Sequence, residues 1–336
     1  MLAKKYKADI FTYFFEETKT FKELKSFNIS ESCLQIKIPL LKQLLAKNFF
    51  KRLNLEKNYD IILMYGFYSI FSAEKNHPNI WLAAAPPKNL FLPEYYKAGN
   101  LIRNAGMKIF RTLILKEHVD VVKNHLDMIF AVSNFQKRNI EKIYERRKNL
   151  KVIYPPVETK KFYYKPAEDY YLTVSRLEPL KRVDIIIKAF MKMPDKKLVV
   201  VGDGSQRKYL EKLAKGNTNI QFTGPLYGKS LLELYAKCIA FIFMSKQEDF
   251  GIVPVEAMAA GKPVIAANEG GPKETVVNGR TGILIKPTVK SLIKAVKWLT
   301  PEKAEKMKED CQKRAELFDS SVYFSQVDKI IREMIK

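Results

Sequence analysis

Two carboxylates, Glu248 and Glu256, stand eight positions apart in the run Glu-Asp-Phe-Gly-Ile-Val-Pro-Val-Glu. The apolar stretch Ile239–Met244 before them reads as a buried strand, which puts Glu248 in the loop that follows. Glu256 is expected in the first turn of a short helix that runs into Ala-Met-Ala-Ala and stops at Gly261. Pro254 suits a first helical position, where its missing N–H costs nothing. Gly261 suits a left-handed stop, and Pro263 blocks continuation. Loop and helix start therefore converge at one strand end, where open α/β sheets bind ligands. Carboxylates there can hold sugar hydroxyls. The backbone N–H groups of Phe250, Gly251 and Ile252 can serve a sugar or an anion such as a diphosphate, with Gly251 permitting close approach.

Cations suited to the same ligand lie upstream. Ser175-Arg176-Leu177-Glu178-Pro179-Leu180-Lys181 follows one apolar run and precedes a helical pattern. Arg176 offers a planar fork and Lys181 a point charge, both fit for a diphosphate leaving group. By themselves an Arg and a Lys in a loop are more often solvated surface charges. Val201-Gly202-Asp203-Gly204 is a strand-to-turn glycine pair, a weak signal alone because such glycines often serve only backbone geometry. Phe222-Thr223-Gly224-Pro225-Leu226 ends the next strand, and Gly270-Gly271-Pro272-Lys273-Glu274 reads as a tight turn and a helix start.

The elements that must carry these loops are legible as a series. Tyr170–Val174, Leu198–Val201, Ile239–Met244, Val264–Ala267 and Gly282–Ile285 read as buried parallel strands. Helical patterns fall near Val183–Lys192, Gln206–Lys215 and Ser230–Lys237, so this half is a doubly wound α/β domain. Residues 301–316 and Ser321–Lys336 also look helical. In the rougher first half the strand candidates are Asp9–Tyr13, Ile61–Met64, Ile80–Ala83, Met128–Val132 and Val152–Tyr154. We expect a Rossmann-like domain over 1–155, a linker over 156–168 and a second Rossmann-like domain over 169–318.

Composition narrows the function classes. Fifty-nine Lys and Arg against 36 Asp and Glu give a net charge of +23, a field that attracts polyanions. No nucleic-acid-binding motif accompanies it and the basic residues are spread along the chain, so no nucleic-acid partner is expected. Cys33, Cys238 and Cys311 form no C-x-x-C pair and read as buried thiols in a reducing compartment. The three histidines make no metal pattern with them, and no D-x-D occurs, so neither a metal nor a cofactor is expected. No apolar run reaches membrane-spanning length.

Glu248 through Gly282 resembles the signature of family 4 (group 1) glycosyltransferases, and the matching segments occur in order over roughly 120–290. The resemblance implies the GT-B fold, two doubly wound Rossmann-like domains with a cleft between them, and a final helix over 319–336 that crosses back to the first domain. It implies a retaining, metal-independent hexosyltransferase. Arg176 and Lys181 would bind the donor diphosphate, Glu248 the transferred sugar and Glu256 the ribose. Gly202 would lie close to the nucleotide and Leu226 against the nucleobase. Asp120 loosely matches a first-domain acid, and Ser133-Asn134 a Ser/Asn pair at a strand end. The plainer reading of Glu256 is that it complements its helix N-terminus, an effect of about 0.3–1 kcal/mol.

Two departures bear on activity. Family members open with a strand and a glycine-rich loop, whereas Met1–Tyr6 looks like the tail of the helix after such a loop, so the first domain is read as lacking its first strand. Ala84-Ala85-Pro86-Pro87-Lys88 stands where many members carry a histidine-led run, with Ala84 in the histidine's place. A catalytically silent nucleotide-sugar-binding protein or partner subunit is therefore the alternative to an active enzyme, with a basic nucleic-acid binder less favoured. The form of the Glu248 run looks like mannosyltransferases, which favours GDP-mannose over UDP-glucose as donor; the acceptor would be a lipid-linked sugar or a polysaccharide. The stretch Ile38–Leu53 carries four cations and no acid and has helical apolar spacing. It suits either a domain helix or attachment to an anionic membrane surface. The expected location is the cytoplasm, at the inner face of the cell membrane if that attachment holds.

Overall fold

The computed structural model describes residues 2–16, 24, 26–32, 39–83 and 114–336. Ala84–Lys88 and Cys33 lie outside the described residues. The chain divides into two compact units. One is Met1–Val132 with Lys137–Ile153 and Val327–Lys336; the other is Ser133–Gln136 with Tyr154–Gln326.

In the first unit a two-stranded parallel sheet pairs β1 (Ile10–Thr12) with β2 (Ile29–Glu31). A four-stranded parallel sheet runs in chain order through β3 (Ile62–Tyr65), β4 (Asn79–Ala83), β5 (Met128–Ala131) and β6 (Leu150–Val152). Short β2 was not anticipated, because three residues carry too little alternation to register. Strand β6 sits two residues before the expected Val152–Tyr154. The core gathers Trp81, Ile129, Ile140 and Tyr144, all essentially inaccessible. The helix Pro39–Arg52 turns Leu44 and Phe50 onto this core, and Lys47 and Lys51 share the carboxylate of Glu117. Among the described residues no helix is long and apolar enough to cross a membrane.

The second unit is built on one six-stranded, wholly parallel sheet. It comprises β7 (Tyr171–Val174), β8 (Leu198–Val201), β9 (Ile220–Gly224), β10 (Phe241–Phe243), β11 (Val264–Ala267) and β12 (Gly282–Ile285). Their spatial order is β12-β11-β10-β7-β8-β9. Strands buried on both faces need uninterrupted apolar runs, and Leu198–Val201 and Val264–Ala267 are buried at every position. Helices Val183–Phe190, Arg207–Ala214 and Gly228–Lys237 fall where the periodicity predicts, within two residues at most ends. The stretch 301–316 is two helices, Pro301–Lys306 and Lys308–Glu316. The helix Val289–Trp298 was not foreseen, although Thr288 signals it: its side-chain oxygen accepts the Ser291 N–H, an N-cap bond. Cys238 and Cys311 are buried free thiols.

The strand order places the site. From β7 the chain winds outward through β8 and β9, then returns to the other side of β7 and winds outward through β10, β11 and β12. The loops after β7 and β10 therefore leave in opposite directions from adjacent strands. That is a topological switch point, where a crevice opens beyond the strand C-termini.

Candidate active site

Five loops leave the C-terminal ends of β7 to β11, and backbone bonds tie them together. Gly202 N–H donates to Gly224 O at 2.9 Å, joining the loops after β8 and β9. Leu177 N–H donates to Asp203 O at 2.8 Å, joining those after β7 and β8. Lys246 N–H donates to Leu180 O at 2.7 Å across the switch point itself, and Gly271 N–H donates to Glu248 O at 2.7 Å. Two of these contacts need glycine. A Cβ on Gly202 would lie 1.9 Å from Ser175 O, and one on Gly271 would lie 2.4 Å from Phe250 Cα. The Gly270–Gly271 turn is thus the seat on which the Glu248 loop rests.

The two residues expected at opposite ends of a sugar diphosphate meet directly. Lys181 Nζ donates to Glu248 Oε2 at 2.5 Å, with both side chains largely shielded from solvent. Ser245, itself buried, donates its hydroxyl to the same oxygen at 2.6 Å. The Lys181 ammonium also stands 5.8 Å from the centre of the Phe243 ring. Beside this pair Arg182, held in the left-handed region at φ +50°, forms an ion pair with Glu269 from the loop after β11. Arg176 is exposed: its carbonyl accepts from the Glu178 N–H at 2.9 Å, and its side chain makes no hydrogen bond or ion pair with the described residues. Glu178, two residues on, accepts from the Ser205 hydroxyl at 2.6 Å and the Ser205 N–H at 3.2 Å, and these bonds hold its carboxyl below the usual carboxylate range.

The helix after β10 corrects one expectation. It runs Ile252–Ala259 and begins at Gly251, which adopts the left-handed conformation at φ +90°. Pro254 is therefore its third residue, not its first, and Glu256 is its fifth. The first turn holds no acid, so the plainer role of Glu256 as a complement to the helix N-terminus is excluded as well. Proline is a strong local signal for a helix start, but here Gly251, three residues earlier, supplies the turn. The stop is as expected: Gly261 is left-handed at φ +73°, and Lys262 N–H closes onto Ala257 O at 2.9 Å.

Glu256 is partly buried and accepts a hydrogen bond from the hydroxyl of Tyr235 at 2.8 Å. Burial pushes its carboxyl above the usual range, and the Tyr235 bond works the other way. Ile252, at the first helical position, is 45% exposed, while Phe250 is buried against Tyr154 and Phe318 at ring distances of 5.6 and 5.4 Å. The side chain of Phe250 thus belongs to the core, which leaves only its backbone for a ligand. Leu226 is partly exposed in the loop after β9.

The second unit therefore assembles Arg176, Lys181, Gly202, Leu226, Glu248, Phe250, Gly251, Ile252 and Glu256 at one end of its sheet. Asp120 is not among them. It lies in the first unit, exposed on the helix over 114–124, where the Asn124 side-chain amide donates to it at 2.8 Å. Ser133 and Asn134 do group with the second unit: Ser133 donates to Asp249 O, and Asn134 N–H donates to Glu274 at 2.8 Å. Sequence reasoning missed Ser245, Tyr235 and the Arg182–Glu269 pair. Ser245 precedes Glu248 by three residues, a local signal that was available.

Comparison with known proteins agrees with this construction. Residues 158–318 match the model of the glycosyl transferases group 1 family. A GDP-mannose-dependent alpha-mannosyltransferase from Mycobacterium tuberculosis is 39% identical over 112 residues, which are 33% of this chain and 29% of that protein. The alpha-1,3/1,6-mannosyltransferase ALG2 of Dictyostelium discoideum is 55% identical over 62 residues, 18% of this chain and 15% of that one. The chain thus spans less than a third of the length of each of these relatives. The crystal structure of Anabaena Alr3699/HepE with UDP and glucose superposes with a TM-score of 0.78 at 21% identity, over 98% of this chain and 94% of that one. That likeness shows the GT-B fold. Residues 158–318, which hold all five of the loops described above, are thus similar to the glycosyl transferases group 1 family.

Proposed function

We propose that the protein is a retaining, metal-independent hexosyltransferase that takes its sugar, mannose before glucose, from a nucleoside diphosphate. The observation that carries this reading is the contact at the switch point between Lys181 and Glu248, from the loops after β7 and β10, with Arg176 in the first of those loops. As the bond from the anomeric carbon to the leaving phosphate breaks, negative charge builds on the diphosphate. The Arg176 fork and the Lys181 ammonium stabilise that charge more in the transition state than in the ground state. Glu248 holds hydroxyls of the transferred sugar and Glu256 those of the ribose. The nucleotide passes over Gly202, with the base against Leu226 and the sugar or phosphate on the N–H groups at Phe250, Gly251 and Ile252. Asp120 faces the acceptor. GDP-mannose is favoured by the form of the Glu248 run and by the two mannosyltransferases among the relatives.

The acceptor is a lipid-linked sugar or a polysaccharide, and the protein meets it from the cytoplasm at an anionic membrane face. The helix Pro39–Arg52 supports this in part. Glu117 takes Lys47 and Lys51, while Lys42 and Arg52 have no carboxylate partner among the described residues. Vesicle sedimentation tests it: equal pelleting with neutral and acidic lipids would refute charge-led attachment.

The activity is tested by incubating the purified protein with GDP-mannose and with UDP-glucose and following sugar release or transfer. Turnover that disappears in Glu248→Ala supports the enzyme. Ala84 in place of a histidine favours a second reading, a nucleotide-sugar binder without turnover. Donor binding by calorimetry with no sugar release would select it.

A further inference from the structure

Tyr235 plays no part in the reading above, yet it is fully buried at the end of the helix Gly228–Lys237. Its ring meets Phe162 edge-on at 5.6 Å and Phe241 at 5.6 Å with a tilt of 37°. All of that packing would serve a phenylalanine equally well. What phenylalanine lacks is the hydroxyl, and a phenol at this depth must find an acceptor. It finds Glu256 Oε2, at 2.8 Å, on the neighbouring helix. Glu256 Oε1 takes no hydrogen bond from the described residues.

The geometry points to Tyr235 as a positioning residue of the donor site: it fixes the Glu256 carboxylate through one oxygen and leaves the other to accept from the ribose hydroxyls of a nucleoside diphosphate. This rests on the assignment of Glu256 to the ribose. A carboxylate held at one oxygen cannot turn about its terminal bond, so its free lone pairs keep a constant direction. The same bond holds the group in its acceptor form. Burial favours the neutral carboxyl, which would present a donor, and the Tyr235 bond opposes it.

The surrounding charges do not substitute for that bond. On the helix of Tyr235, Glu233 pairs with Lys165 and Lys237 and Lys229 is exposed, and Cys238 just after that helix is a buried neutral thiol. On the other elements packed against Ile252–Ala259, Lys161 pairs with Glu158, Arg314 donates to the carbonyls of Thr275 and Glu274, and Lys308 lies over the Tyr164 ring. Lys160, Lys313, Glu309, Asp310, Glu316, Glu274 and Lys273 occupy those same elements, and none of them makes a hydrogen bond or ion pair with Glu256.

The test compares wild type, Tyr235→Phe and Glu256→Gln by calorimetry with GDP and UDP and with their 2′,3′-dideoxyribose counterparts. Tyr235→Phe is expected to weaken the ribonucleotides about tenfold and the dideoxy forms less than about twofold, with an unchanged melting temperature. The ribonucleotide loss should grow as pH is lowered, as the carboxyl takes up its proton. Glu256→Gln should abolish that pH dependence and make Tyr235→Phe silent. Equal weakening of both nucleotide classes, or none, overturns the inference. A wild type that binds neither ribonucleotide removes the ribose assignment and overturns it too. A second readout stands apart from ligands: the Glu256 carboxyl band in difference infrared spectra, assigned by its loss in Glu256→Gln. Its titration midpoint should move up in Tyr235→Phe, and an unmoved midpoint overturns the inference even if nucleotides bind.

Discussion

Lys181 Nζ and Glu248 Oε2 lie 2.5 Å apart, so two charges suited to opposite ends of a sugar nucleotide neutralise each other across the switch point. If the proposed donor binds here, its diphosphate must draw the ammonium away from the carboxylate. Grip on the phosphates and release of Glu248 toward the sugar are then one event.

This competition has a measurable sign. Glu248→Gln removes the rival anion, so GDP or UDP should bind about two- to fivefold tighter, the scale of a partly exposed ion pair. Sugar transfer should fall at least about a hundredfold in the same variant. Lys181→Met should lose on both counts. Calorimetry with the nucleotide and a turnover assay with the donor check the pair, and weaker nucleotide binding in Glu248→Gln would refute the competition.

The seat of the Glu248 loop is steric. Gly271 has an ordinary helical backbone at φ −60°, so alanine carries no conformational penalty there. Its Cβ, however, would stand 2.4 Å from Phe250 Cα and 2.5 Å from Phe250 O, both backbone atoms that cannot swing aside. Gly271→Ala should cost about 1–3 kcal/mol in urea unfolding. By moving Glu248 it should also raise the KM for donor. A variant with native stability and native KM would show that the loop yields freely.

How much of this could be read from residues alone depended on range. Strands buried on both faces, such as Val264–Ala267, show as unbroken apolar runs, and the Gly261 stop shows as a glycine two residues before a proline. These are local signals, set by neighbours within a few positions. The start of the Glu256 helix failed because two local signals competed and the left-handed glycine won over the proline. Tyr235 and Glu256 are 21 residues apart, and Ser133 and Asp249 are 116 apart. No periodicity links such pairs; only the winding of the sheet brings them together.

Lys262 offers a pH test of stability. It is 2% exposed, its ammonium donates to Lys165 O at 2.7 Å, and it stands 4.3 Å from the Tyr164 ring centre. Burial brings its pKa down from 10.5 to about 8. The unfolded chain therefore keeps this proton across the window from about 8 to 10.5 while the folded chain has released it, and stability rises with pH there. Below that window the fold carries a buried cation at full cost. Lys262→Met should be more stable than wild type at pH 7 by on the order of 1–3 kcal/mol, a gain that shrinks through the window. Melting curves at several pH values decide it, and a constant difference would show that the ammonium is not penalised.

Ser245 tests whether Glu248 needs more than Lys181 to hold it. The serine is buried at the end of β10 and donates to Glu248 Oε2 at 2.6 Å, the same oxygen that Lys181 occupies. When a diphosphate takes Lys181, the Ser245 hydroxyl still donates to that oxygen. Without it the carboxylate loses one of the two donors seen at that oxygen. Ser245→Ala leaves no large cavity and no stranded donor, so the melting temperature should change little. Turnover should drop about tenfold, the scale of one hydrogen bond to a charged group, and binding of the bare nucleoside diphosphate should be unaffected because it lacks the sugar. Nucleotide affinity falling together with kcat would assign Ser245 to the shape of the loop rather than to the aim of Glu248.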